Sequence, residues 1–363
     1  MKGIIYIALM GICFALFACQ SDEPLVADGA DSRIYLTAEV EHALVQSRTP
    51  YWLSEPTADN PLLVDVWAAT TTPPDYIFED REEDGTDGVV ALHTQAHFTN
   101  GKAQLLNDAV YPKNVGTKVY FVGMHPRGWN TTDGKLATYT FDGSDDVMFA
   151  PHISGQYAEN VDSENWPKFK FKHLLTWLRV EFVADNEAVS TAWGKVKNIT
   201  IKSKKTVEVN LNQEYPSEKK HNEQGASINF KTESDLAFYQ TGTDNKFPSS
   251  EGYEVPGPLA GTGLSSYIQE KAYVLCEPVY ATDEENEYTI TITTEKRTVN
   301  VGIDLMKDTT TKFTGTTMGY QFTVLLHFKM GGKISVSAVA TDWVNGGMGT
   351  ADVGSGNITT TNN

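Results

Sequence analysis

Three cysteines stand in the chain, Cys13, Cys19 and Cys276, and the residues around the second define a chemistry. Leu16, the small Ala18 and then Cys19 form a lipobox pattern, in which a peptidase cuts between Ala18 and Cys19 and the freed thiol carries diacylglycerol. Lys2 supplies a positive flank, and residues 4–18 supply an apolar run shorter than the roughly 20 residues a spanning helix needs. Residues 1–18 are therefore expected to be an export signal that is removed, and Cys19 to be the lipid attachment site. Each buried CH2 of an acyl chain contributes about 0.8 kcal/mol, so several chains on one cysteine hold a soluble domain to a bilayer. Membrane lipid is thus the first expected partner. With Cys13 in the signal and Cys19 acylated, Cys276 is left without a disulfide partner or the companions of a thiolate zinc site. Within Ala272-Tyr273-Val274-Leu275-Cys276-Glu277-Pro278 it reads as a small buried hydrophobe in a strand.

Other chemistry is sparse. His93 and His97 stand four apart, a spacing that suits two metal ligands on a helix, but their apolar surroundings read as strand and loop with no third ligand nearby, so no metal is expected. The acidic runs 79–87 and 283–287 lack the spacing of a calcium loop and read as solvated loops. There is no nucleophile elbow, phosphate-cradling glycine loop or dinucleotide fingerprint, so neither an enzyme nor a cofactor is expected. The net charge is −18, and loss of Lys2 with the signal makes it −19, which opposes nucleic acid as a partner. Trp129 and Trp166 fall in loop-like stretches and would stack on sugars if exposed, which keeps a carbohydrate-binding surface lipoprotein as the alternative reading.

The elements that position these residues read as strands almost throughout. Alternating segments rich in Val, Ile, Thr, Tyr and Phe occur at 33–45, 62–69, 118–124, 136–141, 169–183, 196–201, 207–211, 287–293, 298–303, 321–328 and 332–341. Turn residues punctuate them and long helical stripes are absent. The segment 212–262 reads as polar loops with one short strand near Ile228. Many short strands predict an all-β chain of two antiparallel β-sandwich domains in tandem. A pause in the alternation at 184–193 sets the expected boundaries. They are a tether at 19–33, domains at 34–188 and 189–350, and a polar tail at 351–363.

Several landmarks, in order, carry a resemblance. They are Ser47-Arg48 after the first strand, Tyr111-Pro112, Val119-Tyr120-Phe121-Val122-Gly123-Met124-His125-Pro126 and Asp146-Val147-Met148-Phe149-Ala150. Phe171-Lys172-His173-Leu174-Leu175-Thr176-Trp177-Leu178-Arg179-Val180, Gly319-Tyr320 and Val339-Ala340-Thr341-Asp342-Trp343 follow. Across nearly the whole mature chain this resembles the fimbrillin family of Bacteroidetes, the type V pilin lipoproteins. His173 reads as a buried residue held by a hydrogen bond. The acidic Ser21-Asp22-Glu23 resembles the stretch that sends Bacteroidetes lipoproteins to the cell surface.

The resemblance implies a Greek-key, transthyretin-like form for the two sandwich domains. It also implies a fimbrial subunit on the outer membrane, partnered by other fimbrial subunits or copies of itself and by a host or bacterial surface ligand. It implies cleavage between Arg48 and Thr49, release of the lipid, and loss of a first strand whose one face is Ile34, Leu36, Ala38, Val40, His42 and Leu44. A strand of another subunit would then fill the vacated groove. The tail around Val353 and Ile358 alternates poorly, which leaves an anchor role or a non-polymerising surface protein beside the shaft role.

Overall fold

The computed structural model describes residues 32–40, 61–70, 91–107, 109–112, 114, 116–160, 162–212, 221–222, 226–241, 245–257, 269–282, 287–308 and 310–341. The chain is nearly all β. Its first half supplies β1 (Tyr35–Val40), β2 (Leu62–Ala69), β3 (Ala91–Phe98), β4 (Lys102–Gln104), β5 (Val119–His125), β6 (Asn130–Thr132), β7 (Leu136–Thr140), β8 (Met148–Gly155) and β9 (Lys168–His173). Next come β10 (Thr176–Ala184), helix α1 (Glu187–Trp193), β11 (Val196–Asn210), β12 (Ile228–Gln240), β13 (Lys246–Phe247), β14 (Gln269–Cys276) and β15 (Tyr280–Ala281). The chain continues through β16 (Glu287–Thr294), β17 (Thr298–Met306), β18 (Gly315–Thr316), β19 (Gln321–Phe328) and β20 (Ile334–Thr341).

The first sheet runs β3-β2-β5-β8-β9-β1-β4. Its ends meet through the β3–β4 turn, where Thr99 and Lys102 exchange main-chain bonds and Leu106 N–H donates to Gln95 O at 2.9 Å. The sheet thereby closes into a ring around one core, which includes Ile34, Leu36, Val64, Val66, Phe98, Val119, Phe121, Phe169 and Phe171. Closure removes the edges that an open sheet exposes. The second sheet runs β13-β12-β14-β10-β19-β20-β17-β16-β11-β7-β6, and the additional β11–β12 pairing joins it into a second ring. Two seams of that ring are short. Tyr239↔Tyr273 and Gln240↔Ala272 close one, and Leu305↔Ala338 and Met306↔Val339 the other.

Several expectations need correction. The sheets are mixed, since β1–β9, β10–β19 and β17–β20 are parallel pairs. The stretch expected as one strand over 169–183 is two, β9 in the first sheet and β10 in the second. Leu174 and Leu175 belong to neither strand, and their main chain bonds Val147 O and Gly319 N–H instead. The chain thus changes sheets between His173 and Thr176, ahead of the 188–189 division expected from the pause in alternation. That pause holds α1, whose first turn is capped by Asn186 Oδ1 accepting from Val189 N–H at 3.0 Å. The two strands expected at 196–201 and 207–211 are one, β11, and β12 is far longer than the short strand expected near Ile228.

The two rings share a core at their junction. Trp67, Val122, Met124 and Phe149 of the first ring pack with Trp129, Ala137, Leu174, Leu175 and Trp177, and β7 pairs with β11 from Thr206↔Thr140 to Asn210↔Leu136. His125 lies there, buried, its Nδ1–H donating to Leu63 O at 2.7 Å. Burial holds its pKa below the ordinary value, against the opposing pull of Asp146 and Leu63 O. The folded protein therefore binds this proton less readily than the unfolded chain, and the stability His125 contributes is present above about pH 6.5 and is lost as pH falls through the depressed folded value. Chemical denaturation at stepped pH should show stability falling between pH 7.5 and 5. In His125→Gln the slope over that window should flatten.

Candidate functional site

The residues singled out by sequence divide sharply. Ala18, Cys19, His42, Leu44, Arg48 and Thr49 lie outside the described residues. Ile34, Leu36, Ala38 and Val40 lie on β1. The structure places Ile34 and Leu36 at 0% exposure inside the first ring, and Ala38 and Val40 half-buried against the same core. Outward from these, Tyr35, Thr37 and Glu39 take the other face, as a two-residue period requires.

β1 is a stave of the ring and not an edge. On one side it runs parallel to β9, from Thr37↔Lys168 to Val40↔Phe171. On the other it runs antiparallel to β4, from Tyr35↔Gln104 to Thr37↔Lys102. The ladder extends beyond the strand itself: Tyr111 N–H donates to Ser32 O at 2.8 Å, Ile34 N–H to Ala109 O at 3.0 Å, and Leu105 N–H to Ile34 O at 3.0 Å. Thr37 N–H donates to Pro167 O at 2.9 Å and Ala38 N–H to Gly101 O at 2.9 Å. Gly101 takes a positive φ of 70° at the β3–β4 turn, and a Cβ there would stand 3.2 Å from Ala38 O, so the turn and the strand need a glycine at that point.

Sequence reasoning missed the outer face of β1. The Tyr35 ring stacks on Trp166, with centroids 4.7 Å apart and planes at 16°. Trp166 Nε1–H donates to Asn160 O at 3.1 Å, and Asn160 Nδ2–H donates to Arg33 O at 2.7 Å. Glu39 lies 3.3 Å from Lys168 Nζ and 3.6 Å from Lys170 Nζ. The available signal was Trp166-Pro167 placed just before the alternating Phe169 and Phe171, though only the parallel β1–β9 pairing brings it to Tyr35.

The remaining candidates are structural. Trp129, expected on an exposed loop, is buried beside Tyr139 at 5.4 Å, because Asp65 Oδ2 accepts from the Gly128 and Trp129 N–H groups at 2.6 and 2.9 Å and draws that loop inward. Burial alone would raise the Asp65 pKa, but bonds from His93 and those two main-chain donors outweigh it and hold it below the usual value. His93 stacks on Trp67 at 4.5 Å, and His97 is exposed four residues further along β3. Among the described residues no group of three or more His, Cys, Asp or Glu is arranged to hold a metal ion.

His173 Nδ1 bonds Asp146 Oδ1 at 2.8 Å, with both side chains buried. Cys276 is buried, its thiol pushed well up by desolvation and 3.7 Å from Thr176 O. An open polar cleft of about 470 Å3 lies along Lys202–Lys204 and Glu233–Asp235, where Lys204 pairs with Glu277 at 3.0 Å. Among the described residues no helix is long and apolar enough to cross a membrane.

No protein-family model matches the chain, and no curated protein matches it. Solved structures of similar fold include proteins of Bacteroides and Parabacteroides. One, a Bacteroides uniformis protein provisionally assigned to cell adhesion, is 15% identical, with 86% of this chain and 99% of that one aligned at a TM-score of 0.48. A Bacteroides ovatus protein with the same provisional assignment is 13% identical over 87% of this chain and 99% of its own, at 0.46. A Bacteroides thetaiotaomicron protein provisionally assigned to polysaccharide binding is 5% identical over 83% and 93%, at 0.38. Likenesses at these scores carry no inference about what this chain does.

The contrast between the two faces of β1 is measurable. Leu36→Ala removes a fully buried side chain from a closed ring and should cost about 2–5 kcal/mol of unfolding free energy in urea. Thr37→Ala, on the other face, should cost about 1 kcal/mol through its weak bond to Pro167 O. Equal losses from the two would contradict the assignment of faces.

Proposed function

We propose that this chain is a surface-exposed outer-membrane lipoprotein, acylated at Cys19, that serves as a structural subunit of a fimbrium and supports adhesion. Its working part is β1 and the place β1 occupies. The observation that carries this reading is that a single strand near the start of the chain closes a ring whose other six strands are all contributed by later residues. Cleavage between Arg48 and Thr49 would free a segment that includes the lipid and β1.

Its departure would leave β9 and β4 with unpaired main-chain groups and would empty the positions of Ile34 and Leu36. A strand from another subunit satisfies both needs, with main-chain bonds supplying affinity and the alternate side chains supplying fit. The two rings are read as two β-sandwich domains of Greek-key type, and the protein as non-enzymatic. An anchor that keeps its lipid is the second form of the same reading, favoured by the poor alternation of residues 351–363.

N-terminal sequencing and intact-mass analysis of protein from the native cell surface test this directly. A terminus at Thr49 together with higher oligomers is expected for a polymerising subunit, and a persisting acylated Cys19 for an anchor. A chain with neither acylation at Cys19 nor a terminus at Thr49 would sink the proposal. In the polymerising case Arg48→Ala should leave uncut, unassembled precursor, and polymers of normal length in that variant would remove Arg48 from the mechanism.

A further inference from the structure

The inner face of β1 and its main-chain ladder ask an incoming strand for apolar side chains of suitable size at alternate positions. Discrimination by charge and by ring type can come only from groups on the outer face. There the Tyr35–Trp166 stack is flanked by cations at both ends, with Arg33 5.8 Å from the Tyr35 ring centre and Lys102 Nζ 5.6 Å from that of Trp166. Trp166 is mounted through Asn160, a residue only 8% exposed that bonds the indole through its carbonyl and the strand through its side-chain amide. Four residues beyond Tyr35 on the same face, Glu39 meets the paired cations Lys168 and Lys170. Trp166, Lys168 and Lys170 all belong to the segment that forms one wall of the strand's place and would stay behind when the strand leaves.

We infer that this wall reads the incoming strand from outside: Trp166 selects an outward aromatic side chain, and Lys168 with Lys170 selects a carboxylate four residues later. The inference rests on the strand-exchange reading above and names the partner by chemistry, a β-strand of another protein carrying that aromatic–carboxylate pair. The residues after Thr341 do not carry it, since their one aromatic, Trp343, is followed four places on by Gly347. The same contacts hold the resident strand against strands that lack the pair.

The test uses the full chain with a specific protease site placed within residues 46–49, cut and then offered fluorescent peptides of residues 31–45. The native peptide should enter, and the Tyr35→Ser and Glu39→Lys peptides should bind more weakly, the first by roughly tenfold, as loss of a stacked aromatic pair predicts. Equal affinity of the three peptides overturns the outer-face selection and leaves strand exchange standing. Entry of none of them overturns strand exchange and the inference together. In the uncut chain, amide hydrogen exchange over residues 34–40 should quicken by roughly tenfold in Trp166→Leu and return toward the native rate in Trp166→Phe, which keeps a stacking ring. Unchanged exchange in Trp166→Leu overturns the clamp without reference to any incoming strand.

Discussion

A strand inside a sheet must satisfy main-chain groups on both sides, and in the first ring that requirement falls on β1. β9 and β4 are neighbours only through it. β4 is three residues long and could not span the gap alone. The place β1 occupies is built from residues 101–111 on one side and 167–171 on the other, so it comes into being only when the chain beyond it has folded. The parallel pairing with β9 strengthens the point, since parallel neighbours cannot be joined by a tight turn and the connection must travel around the ring. Because β1 precedes the other six staves in sequence, a single cut between β1 and β2 would leave those six connected.

The second ring is coupled to the first by more than apolar contact. The β6–β7 hairpin belongs in sequence to the first half but adds its ladder to β11, and the Leu174-Leu175 step ties the end of β9 to Val147 on one side and Gly319 on the other. Trp67, Val122, Met124 and Phe149 face away from the first ring's interior and into the larger core. Strain at the junction would have to break hydrogen bonds in two directions as well as expose large aromatic surfaces. The strands that carry those four residues are β2, β5 and β8, whereas β1 stands between β9 and β4.

The strands with clean alternation were legible in the sequence. β2, β7, β16, β17, β19 and β20 fall where Val, Ile, Phe and Thr recur at every second position. What escaped has identifiable causes. Lys202–Thr206 and Lys231–Asp235 are polar, yet they continue β11 and β12 because each pairs with the other across the register Lys202↔Asp235 to Thr206↔Lys231, and local polarity does not report that partnership. The split between β9 and β10 was hidden because Leu174 and Leu175 look like more of the same apolar run. Parallel pairings leave no mark on composition. On β1 the inward face was readable from a period of two, whereas the Tyr35–Trp166 stack joins residues 35 and 166 through a tertiary contact that no local pattern contains.

The buried charged groups show why chemistry-bearing residue types need not mark an active site. Asp65 is among the best-buried carboxylates, and its pKa is displaced below the ordinary value, a perturbation of the kind that also attends functional carboxylates. Its oxygens, however, are engaged by two successive main-chain N–H groups, those of Gly128 and Trp129, which are thereby brought in from solvent. Without that carboxylate the loop would bury two unsatisfied donors, and Trp129 could not reach the core beside Tyr139. Asp146 holds a side chain instead, the His173 ring, at the point where the chain is about to change sheets. Both carboxylates are thus engaged in structure at the boundary between the two cores, while the stacked rings and opposed charges on the outer face of β1 remain in reach of solvent.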